Sequence, residues 1–136
     1  MKTLMPEQVA IVVTIIILSS VIIFHLFVLA GIIPFTIVGG GRIENESQMI
    51  LLETIATAVN LLMLIIVLMK AGVIKSKLSP LVIRVALWIM FFVFALNTVG
   101  NMFAKTEVEK WVFTPLTFIL ALCSLRLASS TKAIGN

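Results

Sequence analysis

The 136-residue chain is 61% hydrophobic and only 12% charged, with a mean hydropathy of +1.23. A water-soluble domain of this size needs far more polar surface, so the bilayer is the expected solvent and the expected partner. The net charge of +4 comes from lysines and arginines at the ends of apolar runs, with no basic patch interleaved with aromatics, which excludes a nucleic-acid footprint. The single cysteine, Cys123, excludes an intramolecular disulfide and reads as a small core hydrophobe.

The length predicts one all-α domain over residues 1–136, with transmembrane helices at about 7–33, 47–70, 80–104 and 107–130. The apolar runs 9–33, 49–69, 81–104 and 111–129 are each close to the roughly 20 residues that cross a bilayer core, and they lack the alternation of barrel strands. The first run is longer than a signal-peptide core and leads into no polar mature domain, so it is expected to be retained as a span ending at Pro34. After the glycine-rich stretch 39–41, Asn45 with Gln48 predicts a capping box for the second helix, and Gly72 its C-terminal stop. The "NES" at 45–47 is formally a glycosylation acceptor, a motif common by chance. Ser79 and Pro80 predict the N-cap and first position of the third helix, and Thr106 with Glu109 a second capping box for the fourth.

Basic residues orient this up-down bundle. One side carries Lys2, Lys70, Lys75, Lys77, Arg84, Arg126 and Lys132, seven in all; the other carries Arg42, Lys105 and Lys110, three in all. The positive-inside rule then places both termini in the cytoplasm, and the small loops fit a bacterial inner membrane. Arg84 and Arg126 are expected to snorkel to the cytoplasmic interface, and Trp111 to sit in the outer aromatic belt.

With that topology every helix carries polar side chains in the outer half: His25; Glu53, Thr57 and Asn60; Asn97 and Asn101; Thr114 and Thr117. Glu53, Thr57 and Asn60 share one helical face, as do Asn97 and Asn101, with Gly100 and Ala104 beside them as a small-xxx-small contact face. Such a stripe turns toward other helices, because amides facing lipid are left unpaired. Pro115 removes a donor to the Trp111 carbonyl and predicts a kink in the fourth helix.

The ligand-binding candidates are therefore Glu53, Thr57, Asn60, Asn97, Asn101, His25 and Thr117, with Pro115 as the helix break and with no catalytic residue assigned. No metal site is expected from one His and one Cys on different helices, and no cofactor motif occurs. The leading reading is a pocket that binds or transports a small molecule, ion or lipid, as a homo-oligomer or with a membrane partner. A second reading makes the amides interhelical glue in an assembly subunit. A third, ranked last, is an intramembrane isomerase using Glu53 and His25, which requires the two to face one cavity.

Overall fold

Short polar signals between the apolar runs set most of the helix ends. In the computed structural model, which describes residues 5–37 and 43–130, α1 spans Glu7–Leu29, α2 Glu46–Ala71, α3 Pro80–Met102 and α4 Thr114–Ala128. A five-residue π-helical segment, Glu109–Phe113, runs directly into α4. Lys2, Arg42, Lys132 and the glycines 39–41 lie outside the described residues.

The Asn45 side chain accepts from the Gln48 N–H at 2.9 Å, while Gln48 Oε1 accepts from the Glu44 N–H at 2.7 Å. The capping box is therefore offset by one residue on its return bond. Gly72 closes α2 in the left-handed region at φ 82°, where a Cβ would be unfavourable. Ser79 accepts from the Val82 N–H, and Pro80 opens α3. The first helix ends before its expected limit. Gly31, at φ 80°, follows the cap residue Ala30, so α1 stops at Leu29 and Pro34 lies in the loop beyond.

The four segments Glu7–Leu29, Glu46–Ala71, Pro80–Met102 and Glu109–Ala128 are each long and apolar enough to cross a membrane. Their outward faces carry Ile16, Leu62, Leu81, Leu96 and Val99, all exposed. Water solvates such a continuous apolar exterior poorly, and it fits a multi-pass membrane protein.

α1 packs against α2 and α4, and α4 packs against α3, while α2 and α3 touch each other little. Tertiary bonds define two ends. At the basic end the Arg126 Nε–H donates to the Met5 carbonyl at 2.9 Å, Lys70 lies 3.7 Å from Glu7, and Arg84 reaches the Ser130 carbonyl at 3.4 Å. Arg126 departs from the snorkelling expectation: it is buried, folded against the start of the chain, because the Met5 carbonyl offers an acceptor at that depth. At the polar end His25 meets Glu53, and Asn101 meets Thr117.

An apolar core around Leu18, Val67, Leu87, Met90, Leu120 and Cys123 fills the basic half. A smaller cluster of Val28, Ile43 and Met49, backed by Phe24, Phe35 and Ile37, caps the polar end. Gly100 belongs to neither. It is exposed, and a Cβ built on it meets no heavy atom within 4 Å. Ala104 lies past the end of α3. The small-xxx-small pair is therefore not a contact face within this chain. Gly100→Ala should be tolerated and raise the melting temperature, since alanine is favoured over glycine in a helix by about 1 kcal/mol. A clear loss of stability in a thermal melt would instead place a second molecule against that face.

Candidate functional site: a cavity lined by all four helices

Between the two apolar clusters lies a cavity of about 430 Å³, within the roughly 300–1,000 Å³ range of small-ligand pockets. α1 supplies Val21, Phe24 and His25, and α2 supplies Leu52, Glu53, Ala56, Val59 and Asn60. α3 supplies Phe94, Asn97 and Asn101. The π segment and α4 supply Glu109, Phe113, Leu116, Thr117 and Leu120, and Ile43 lies over the polar end.

One polar contact in the wall joins His25 Nδ1 to Glu53 Oε2. Two lone pairs would repel at such a contact, so a hydrogen must lie between the atoms. The side chains are 16% and 5% exposed, which makes this a largely desolvated pair. Phe24 stacks edge-on to His25 and, at 5.0 Å between centroids, to Phe113, fixing the imidazole from its flank.

Across the cavity the Asn101 Nδ2–H donates to Thr117 Oγ1 at 3.4 Å, and Thr117 Oγ1 donates to the Phe113 carbonyl at 2.8 Å. Thr98 lies 3.0 Å from the same hydroxyl, so Thr117 collects α3 side chains onto α4. Asn60 spends one amide N–H on the Ala56 carbonyl at 2.7 Å and presents the rest of its side chain to the cavity.

Six of the seven candidates thus line one cavity: His25, Glu53, Asn60, Asn97, Asn101 and Thr117. Thr57 does not. Its hydroxyl folds back onto the Glu53 carbonyl at 2.8 Å, satisfying itself within the helix, as threonine does in apolar surroundings. Asn97 lines the cavity but remains exposed, so it stands at the mouth rather than inside.

Glu109 was not among the candidates, because "TEVE" reads as a capping box. Its N–H is indeed 3.3 Å from Thr106 Oγ1, and that hydroxyl lies 3.0 Å from Glu109 Oε1. The residue is nevertheless buried and lines the cavity. The signal that finds it is spacing: 109, 113, 117 and 120 form one helical stripe. Pro115 acts upstream of the expected kink. The Thr114 N–H reaches the Glu109 carbonyl, five residues back, so the break takes the form of a π turn ahead of the proline.

Comparison with protein-family models, curated proteins and solved structures finds no match to this chain.

Proposed function

We propose that the chain is a four-span membrane protein, threaded up and down with both ends cytoplasmic, whose outer-half cavity binds a small ligand. The lysines and arginines of the basic end, Lys70, Lys75, Lys77, Arg84 and Arg126, against Lys105 and Lys110 at the polar end, support that orientation. The observation that carries the binding reading is the cavity itself: mostly apolar walls with a few convergent polar groups, drawn from all four helices.

Binding is favoured over passage by what lies beneath. Leu120 and Phe94 are 1% and 3% exposed, and below them the core continues through Leu87 and Val67. The cavity ends blindly, so transport requires a second conformation or a second copy of the chain.

The test is native mass spectrometry of protein released from its own membranes. Wild-type protein should retain a small-molecule adduct. Ala56→Trp, which places an indole in the cavity from a half-buried position, should lose at least nine-tenths of it at an unchanged melting temperature. Identical adducts in both proteins, or none in the wild type, would dismiss the reading.

The His25–Glu53 contact supports a second reading, proton-transfer chemistry on the bound molecule, since both groups line one cavity. Glu53→Gln then carries an isomer different from that on the wild type, resolved by chromatography after extraction. The same compound on both proteins rejects catalysis.

A further inference from the structure

We propose that the cavity opens sideways between α2 and α3 and takes an uncharged amphiphile. Its hydrogen-bonding head sits among Asn60, Asn101 and the His25–Glu53 pair, and its apolar tail leaves through the slot. This rests on the binding reading above and adds to it the route and the class of ligand.

Among the described residues the other sides of the cavity are covered. Over the polar end, Ile43 and Met49 are buried with Phe35 and Ile37 packed on them. The Thr106 hydroxyl donates to the Ile37 carbonyl at 3.1 Å, tying this cover to the start of the fourth helical segment. The floor is the apolar core beneath Leu120. Around the sides, among the described residues, α1 is packed on α2 and α4, and α4 on α3, while the α2–α3 side is poorly joined.

The exposure of the lining agrees. The cavity residues that remain exposed are Leu52 and Val59 on α2 and Asn97 on α3, whereas those on α1 and α4 are buried or half-buried. On α2, Ile55 and Leu62 lie beside Leu52 and Val59 on the same side of the helix and are exposed and apolar. A mouth set in such a surface faces hydrocarbon rather than water. A volume near 430 Å³ holds a head group and the first part of a chain, and a longer tail must continue outside.

The wall also selects charge. Each ionisable side chain described in it is already engaged: His25 with Glu53, and Glu109 with Thr106 and further interactions. A charged head would enter a site of low dielectric with no counter-charge reserved for it. The amides of Asn60 and Asn101 and the imidazole–carboxylate pair instead suit hydroxyl or ester oxygens.

The experiment uses the full chain in phosphatidylcholine nanodiscs with a monoacylglycerol carrying a diazirine beside its carbonyl. After irradiation, adducts mapped by mass spectrometry should fall on Asn101 and Phe113 at least tenfold more often than on outward-facing Ile16. Unlabelled monoolein should compete, and oleate and oleylamine should not. Val59→Trp, an exposed position, should cut cavity labelling at least fivefold while circular dichroism and melting stay unchanged. Undiminished labelling in folded Val59→Trp overturns the slot, as does labelling of Phe113 by a water-soluble diazirine glycerol in place of the lipid probe; the cavity then still binds. Equal competition by oleate or oleylamine overturns the uncharged head. Labelling by neither probe above the Ile16 background overturns this proposal and the binding reading together.

Discussion

His25→Leu should destabilise the protein more than Glu53→Leu, and the double substitution less than either. Removing His25 leaves the Glu53 carboxyl group, 5% exposed, facing an apolar-walled cavity without its partner. Breaking a buried pair in this way costs about 3 kcal/mol. Removing Glu53 instead leaves an imidazole that is 16% exposed, so it keeps more contact with its surroundings and loses one hydrogen bond. That loss is roughly 1–2 kcal/mol. Replacing both with leucine removes the desolvated pair altogether, and such apolar replacements are often neutral. Reversible unfolding in mixed micelles with increasing dodecyl sulfate measures all four corners of the cycle. The two single effects should therefore fail to add, by about 3 kcal/mol or more. An additive cycle would mean that the pair contributes nothing as a pair.

The same pair marks where the sequence stops being legible. That His25 and Glu53 are costly in an apolar span is readable from composition alone. Their meeting depends on how α1 slides along α2, a register fixed by the packing of Ala10, Leu18, Met63 and Val67 far from either residue. Helix ends were legible where the signal is local. Asn45, Gly72, Ser79 and Pro80 each act on backbone groups within four residues, and each is found in its expected role. Pro34 misled because a proline restricts only its own neighbourhood, while the positive φ at Gly31 ends α1 three residues earlier. Gly100 misled because spacing names a face and cannot name its neighbour. That face looks outward: Gly100 and Leu96, one turn apart on it, are both exposed. Glu109 has two jobs, helix start and cavity wall, and only the first has a motif. The sparse contact between α2 and α3 has no local signature, because it depends on how the helices are arranged: α1 packs on α2 and α4, and α4 on α3.

Leu87→Ala and Leu120→Ala should separate core packing from cavity shape. Both leucines are 1% exposed and lie in the larger apolar cluster, but only Leu120 also forms the floor of the main cavity. In a bilayer the transfer of a leucine side chain from solvent to interior gains little, because lipid is as apolar as the core. What remains is lost contact and the void left behind, which puts each substitution at roughly 2 kcal/mol, the low end of leucine-to-alanine losses in soluble cores. The two should thus be similar in stability and differ in binding. Leu87→Ala enlarges the small pocket that Leu87 lines with Ile83 and Leu127 at the basic end, away from the main cavity, and should bind the monoacylglycerol probe as the wild type does. Leu120→Ala joins its void to the cavity and should shift preference toward a bulkier head group by several-fold, read as competition between monoolein and a larger uncharged glycolipid. Equal selectivity in the two variants would show that Leu120 does not set the depth of the site, and a loss of 5 kcal/mol or more, the upper end for leucine truncation, would show that the bundle interior is held together as a water-soluble core is.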